Sequence, residues 1–156
     1  MSNVSWAVPT VALANVPGQT IELNSLANGT SNNGTVIDNE TNRATHMDLQ
    51  LHLASLNLSA QTNPSVTIHL LETADGSTTY DDGDDATAND ALQSAKPPAA
   101  IFPLREGTAA ETKDVTISGI QIPPGRWLIA LTNETGVAFA VSGNTLKYRT
   151  YKLEIA

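Results

Sequence analysis

Residues 46–56, HMDLQLHLASL, alternate apolar and polar side chains with a period of two. Met47, Leu49, Leu51 and Leu53 are the apolar residues, and polar residues separate them. Successive side chains of a β-strand point to opposite faces, so this pattern predicts a strand with one buried face. The same alternation recurs in the segments SVTIHLL, KDVTISGIQI (with a reset at its glycine), RWLIALTN, GVAFAVSG and YKLEI. Weaker strand candidates are SWAVPTVALA, QTIELN, TVIDN and AAIFPLRE.

Turn-forming residues separate these segments. Pro124-Gly125 suits a type II turn, and Asn33-Gly34 is a further turn signal. No long segment has the 3.6-residue period of a helix, and the best helical candidate is the short segment 89–94. About eight to ten short strands with turns between them predict an all-β fold. We expect an antiparallel β-sandwich of jelly-roll type, with a barrel as the alternative.

The chain length predicts one domain, residues 1–156. Residues 1–14 are expected to form an N-terminal arm or strand, and residues 73–98 a long acidic inter-strand loop with almost no large apolar side chain.

There is no cysteine, which excludes disulfides and zinc–thiolate sites. We expect neither a signal peptide nor a membrane partner, since no apolar run approaches the roughly 18 residues of a spanning helix. Asn-x-Ser/Thr triplets predict an Asn/Thr-rich surface; they begin at Asn3, Asn28, Asn33, Asn39, Asn57 and Asn133.

Negative charge is concentrated in residues 72–90. This segment holds seven of the sixteen acids and no base, whereas the rest of the chain holds nine acids and eight bases. A chain without clustered bases is a poor match for phosphates, so no nucleic-acid partner is expected. Five aspartates fall within YDDGDDATAND, namely Asp81, Asp82, Asp84, Asp85 and Asp90. Their spacing does not fit an EF-hand, and a solvated loop at an interaction surface is favoured over a looser calcium or magnesium site.

Few residues in the sequence suggest catalysis. His52 and His69 are predicted on the outward sides of two neighbouring strands, with Asp48 on the face of His52. If those strands pair, the three residues would form a metal site for a hydrolase or an oxygenase. Ordinary surface histidines are the favoured interpretation. No nucleophile elbow, phosphate loop or dinucleotide fingerprint is present, so we expect no catalytic residue, no metal and no cofactor.

Aromatic and basic residues near the two ends of the chain suggest a partner interface. Trp6 lies in the thin N-terminal arm, where it would anchor on a partner chain or cover the edge of its own sheet. Arg126 would lie against Trp127 if that tryptophan were exposed, but a core tryptophan is favoured. The LKYRTYK segment suggests the charged outer face of a last strand, or a contact to an acidic neighbour. The predicted interface residues are Trp6, Val8, Arg126, Lys147, Arg149 and Tyr151.

Residues 45–151 resemble small proteins of tailed bacteriophages. The resemblance covers HMDLQLHLASL, the DGSTTYDDG loop, and FPLREGTAAETKDVTISGIQIPPGRWLIALTNETGVAFAVSGNTLKYRTY. Its most specific parts are the PPG turn before an aromatic strand and the SGNTLKYR-Y ending. These proteins are capsid decoration, or cement, proteins: jelly-roll or sandwich modules that sit on the head and staple neighbouring capsomers.

The resemblance implies a non-enzymatic protein of the outer capsid surface, made in the host cytoplasm. Its implied partners are the major capsid protein and further copies of itself, as a homodimer or homotrimer. It implies no catalytic residue. The alternative is a tail-fibre or adhesin sandwich that binds host carbohydrate, with or without calcium. That alternative requires an exposed aromatic platform or a calcium site within residues 81–90.

Overall fold

The computed structural model describes residues 4–6, 12–16, 23–73, 80 and 96–155. Within them the chain forms strands and no helix, so no described helix is long and apolar enough to span a membrane. The strands are β1 (Val4–Trp6), β2 (Ala14–Asn15), β3 (Ser31–Asn33), β4 (Ile37–Asp38), β5 (His46–Asn57), β6 (Ser65–Glu72), β7 (Ala100–Pro103), β8 (Ala110–Gln121), β9 (Arg126–Glu134), β10 (Thr145–Tyr151) and β11 (Leu153–Ile155). The helical candidate at residues 89–94, Val8 and the five loop aspartates lie outside the described residues.

Two antiparallel sheets form a sandwich. Sheet I has the strand order β2-β10-β5-β8, and sheet II has the order β3-β9-β6-β7, with β4 also paired to β9. From β2 to β10 the chain passes repeatedly from one sheet to the other, which is the wiring of a jelly roll. The predicted jelly-roll sandwich is therefore confirmed, and the barrel alternative is not adopted. Among the described residues, β1 and β11 pair with each other and with no strand of sheet I or sheet II, and they are called the terminal ribbon.

The core lies between the sheets, where the alternation of the sequence places it. The inward leucines of β5 are fully buried, as are Ile68 of β6 and Trp127 of β9. Trp127 is thus a core residue, as favoured from the sequence. Burial of each such leucine or isoleucine contributes about 1.5–3 kcal/mol. A second, smaller cluster lies on the outer face of sheet II and consists of Leu71, Tyr80, Leu128 and Ala130.

A bulge in β8 explains the interrupted alternation of KDVTISGIQI. The pairing with β5 shifts register between Met47 and Leu49, which face Ile120 and Ile117. Gly119 absorbs the extra residue with a φ of 78°, a conformation that glycine adopts without a steric penalty. The expected reset at this glycine is confirmed.

The predicted strand GVAFAVSG is wrong, because residues 136–143 form an irregular loop. Phe139 is buried in the core and its N–H donates to the carbonyl of Leu26, whereas Val141 is 81% exposed. The side chain of Asn133 binds the carbonyls of Leu26 and Val137 and takes over the role of a strand partner. The apolar residues therefore pack individually rather than along one face.

Candidate functional site

A group of polar and aromatic residues lies on the outer face of sheet I. The register places Arg149 opposite Asp48 and Tyr151 opposite His46. Alternate residues of a strand share a face, so these four side chains point away from the core. Together with Gly119 of the β8 bulge they are called the outer polar cluster below.

Asp48 is the centre of this cluster and is only 4% exposed. Its carboxylate accepts hydrogen bonds from Nε of Arg149 at 2.8 Å and from the N–H of Gly119 at 3.2 Å. Burial alone would raise the pKa of Asp48, but these hydrogen bonds and the charge of Arg149 outweigh it and hold the pKa below the ordinary 3.8. Asp48 is therefore ionised at neutral pH, and its role is to fix Arg149.

An aromatic pair lies beside this ion pair. The rings of His46 and Tyr151 stack with centroids 5.8 Å apart and an interplanar angle of 18°. Burial, followed by the negative charge of Asp48, raises the pKa of Tyr151, which keeps the phenol protonated. The cluster thus presents a held guanidinium and a stacked ring pair, a combination suited to contact with a partner surface.

The strands of His52 and His69 do not pair, so the metal site that would have followed from such pairing, and that the sequence did not favour, is not formed by Asp48, His52 and His69. β5 carries His52 in sheet I and β6 carries His69 in sheet II, so the two histidines lie on opposite outer faces. The prediction assumed that consecutive strands pair, whereas the jelly roll places them in different sheets. His52 instead contacts Asp114 at 2.7 Å, and no group of three potential metal ligands occurs among the described residues.

His69 has a different environment from His52. Burial lowers the pKa of His69, partly offset by the charge of Glu134 and by a hydrogen bond to the Lys96 backbone. Its Nδ1 is buried without a partner among the described residues. His69 is therefore a neutral, half-buried histidine.

The predicted interface residues that the structure describes are distributed over sheet I, sheet II and the terminal ribbon. Arg149 and Tyr151 belong to the outer polar cluster, and Lys147 lies two residues along β10, half-buried. Arg126 begins β9 in sheet II and is 3.4 Å from Asp38. The backbone of Trp6 lies in the terminal ribbon, where it pairs with Leu153.

The sequence suggested that the LKYRTYK segment is the last strand. The structure shows instead that β11 follows β10. It lies inside sheet I, between β2 and β5. Its charged residues occupy the outward positions of the strand, as expected from the alternation.

A cleft between the two sheets was not predicted from the sequence. It has a volume of about 260 Å³ and is called the inter-sheet cleft. Its lining includes Ile37, Asp38, Asn42, Trp127, Tyr148 and Thr150. Trp127 is fully buried, and its indole N–H has no acceptor among the described residues. The sequence identified Trp127 as a core residue but could not show whether its N–H would find a partner.

The loop beside this cleft is held by Asn39. Its side-chain amide donates to the carbonyls of Ala44 and Pro123, each at 2.9 Å, and its Oδ1 accepts from the N–H of Ala44 at 2.9 Å. Asn39 and Asn133 are buried, so the prediction that the Asn-x-Ser/Thr triplets lie on the surface is wrong for these two. The amide side chain can donate and accept at once, and here it replaces missing strand pairing.

Comparison with known proteins gives a likeness of fold only. No protein-family model and no curated protein matches the chain. Among solved structures, it is similar to a carbohydrate-binding module, TmCBM61 in complex with β-1,4-galactotriose. The two share 9% sequence identity with a TM-score of 0.33, over 99% of this chain and 88% of the other. A likeness at this level supports no statement about a ligand.

Proposed function

We propose that this protein is a non-enzymatic virion protein that decorates the outer surface of a capsid and links neighbouring capsomers. The resemblance of residues 45–151 to phage decoration proteins supports this function, and the jelly-roll fold is compatible with it. The observation that carries the proposal is the terminal ribbon, in which Val4 pairs with Ile155 and Trp6 with Leu153, outside both sheets.

An isolated two-stranded ribbon is marginally stable in water. β1 and β11 have three residues each, and within the part of the chain that the structure describes neither joins sheet I or sheet II. Such a ribbon gains stability when it lies on another surface. We assign that surface to the major capsid protein or to a second copy of this chain.

Several weak contacts are sufficient for such a role. A symmetric dimer or trimer engages more than one capsomer at once, and the second contact benefits from a high effective concentration. The outer polar cluster supplies a second contact region, since arginine and tyrosine are enriched among residues that dominate interface energies. The net charge of −8 discourages particles from adhering to one another.

Co-sedimentation with capsids that lack this protein tests the proposal. Wild-type protein should sediment with the capsids, and a variant without residues 1–6 should bind at least tenfold more weakly. The matched control is Val141→Ser, at a highly exposed loop position, which should bind like wild type. Absence of the protein from purified virions, or equal binding by the truncated variant, would overturn the proposal. Electron microscopy of the virion would then give location and copy number directly.

A carbohydrate-binding sandwich is the second candidate function. The inter-sheet cleft is the observation that favours it, because its described lining includes the polar side chains of Asp38, Asn42 and Thr150.

A further inference from the structure

We propose that the free edge of β8 pairs with the same edge of a second copy of this chain, so that sheet I continues from one copy into the other. The pairing is antiparallel and has Thr116 at its centre. This inference deepens the proposed function, on whose symmetric assembly it rests, because it names the surface that joins two copies.

β8 is a long strand with a free edge. It has twelve residues and lies at one end of sheet I, where β5 is its partner. Among the described residues no second strand pairs with it. The strands at the other three sheet ends, β2, β3 and β7, have two, three and four residues, and β7 ends on a proline, which lacks an N–H. A free edge carries unpaired N–H and C=O groups and is a template for another chain, and β8 has the longest row of them.

The inner face of β8 is incompletely covered. Val115 and Ile117 pack against the core but are only half-buried. Their partners on the interior strand β5, Leu51 and Leu49, are fully buried. Thr116, which lies between them and points to the outer face, is exposed. A further strand beside β8 would therefore remove from water the apolar surface that Val115 and Ile117 still expose.

One register of self-pairing suits the side chains of this strand. With Thr116 at the centre, Val115 of each copy lies opposite Ile117 of the other, and the two threonines face each other. Pairs of β-branched residues and of threonines across neighbouring strands stabilise a sheet. Asp114 lies opposite Ser118 in this register, so no like charges are opposed.

Two features of β8 keep the paired stretch short. Lys113 is buried and lies opposite the inward-facing Leu53 of β5, so this base points inwards. At the other end of the stretch Gly119 forms the bulge. Inward charges and bulges discourage long edge-to-edge pairing. With Thr116 at the centre, the lysine meets the glycine, which has no side chain to oppose it, and the pairing lies between the two.

The symmetry of this contact limits the assembly to two copies. A two-fold pair uses the β8 edge of both copies, so it is closed and does not continue into a fibre. The two-fold axis of an antiparallel pair is perpendicular to the sheet, so the outer faces of both copies lie on the same side. With strands about 4.8 Å apart, β5 and its copy are about 14 Å apart. Two outer polar clusters are thus presented to one partner surface, and their linkage strengthens a weak contact.

Cysteine cross-linking tests the register on the isolated protein, because the chain contains no cysteine. Directly opposed residues of antiparallel strands have Cα atoms about 4.5–5.5 Å apart, within the roughly 4.4–6.8 Å of disulfides. Under mild oxidation, Thr116→Cys should therefore form a disulfide-linked dimer. Thr112→Cys is the matched control, since Thr112 is also exposed on β8 but lies outside the paired stretch. It should cross-link at least tenfold more slowly, because the two cysteines are not held together.

Sedimentation velocity of the protein without cysteine measures the affinity. Wild type should show a reversible dimer. Thr116→Asp places two carboxylates opposite each other and should weaken the dimer about tenfold, whereas Thr112→Asp adds the same charge and should dimerise like wild type. A monomeric wild type, equal cross-linking by the two cysteine variants, or equal dimerisation by the two aspartate variants would each refute the pairing.

The truncated variant without residues 1–6 separates this inference from the capsid role. It should dimerise like wild type, because β1 lies outside sheet I. Dimers that do not bind capsids contradict the capsid role alone, and a monomeric protein that binds capsids contradicts the β8 pairing alone.

Discussion

Replacement of Arg149 by methionine should leave a buried carboxylate without its cation. Asp48 is 4% exposed, and the hydrogen bond from Nε of Arg149 is 2.8 Å long. A charge-assisted hydrogen bond contributes about 1.5–3 kcal/mol, and loss of one partner from a fully buried pair costs about 3–5 kcal/mol. The Arg149 side chain is 35% exposed, so solvent screens part of this interaction. Since Asp48 also keeps the N–H of Gly119, we expect a loss of about 2 kcal/mol in the free energy of unfolding.

The pH dependence gives a second measure of the same interaction. The folded-state pKa of Asp48 lies below its ordinary 3.8. Its contribution to stability is therefore complete above that value and is lost as the pH falls through the lower folded-state pKa. The stability difference between wild type and Arg149→Met should accordingly be largest at neutral pH and should shrink below pH 3.8.

Urea denaturation across this pH range provides the measurement. Lys147→Met is the control, because Lys147 lies on the same face of β10 and has no buried carboxylate opposite it. It should change stability by less than about 0.5 kcal/mol. A double-mutant cycle with Asp48→Asn should give a coupling energy of about 1–3 kcal/mol. If Arg149→Met costs no more than Lys147→Met, or if the difference does not shrink in acid, this account of the cluster is wrong.

Three further changes probe other parts of the fold, each by urea denaturation. Asn133→Ala removes four hydrogen bonds of a fully buried side chain and should cost about 3–4 kcal/mol, whereas the exposed Asn57→Ala should cost less than about 1 kcal/mol. Wild type should lose stability as the pH falls below 6.5, because burial lowers the pKa of His69 and the unfolded chain binds the proton first. His69→Asn should lose less than wild type over the same range, and an unchanged slope would contradict this cause. Tyr80→Ala uncovers the outer cluster of sheet II and should cost about 2 kcal/mol; a neutral effect would show that Tyr80 does not protect it.

The local pattern of the sequence was sufficient to predict several strands and much of the core. Period-two alternation is a property of neighbouring residues, so it identified β5, β6 and β9 and the burial of Trp127. It failed at residues 136–143, where the side chain of Asn133 binds backbone carbonyls that a partner strand would otherwise have bound. The alternation of apolar and polar residues cannot show that a side chain, rather than a neighbouring strand, will bond the backbone of a segment.

Strand partners could not be deduced in the same way. Which strands pair depends on contacts between distant residues, so the sequence could not decide whether the strands of His52 and His69 were neighbours. The burial of Asp48 has the same origin, since Gly119 and Arg149 are far from it in the chain. The inter-sheet cleft also requires β4 and β10 to be placed, because the two strands contribute opposite walls.

The order of strands in the two sheets has a consequence for synthesis of the chain. β9 lies in the interior of sheet II and β10 in the interior of sheet I, yet both come late in the sequence. Before they leave the ribosome, only the β5–β8 and β6–β7 pairs can form, and neither sheet can close. Neither sheet can therefore close until both strands have been synthesised, and folding is expected to be slow, as for other folds dominated by distant contacts. Until then, the apolar inner faces of β5 and β6 lack their partner strands and are prone to aggregation.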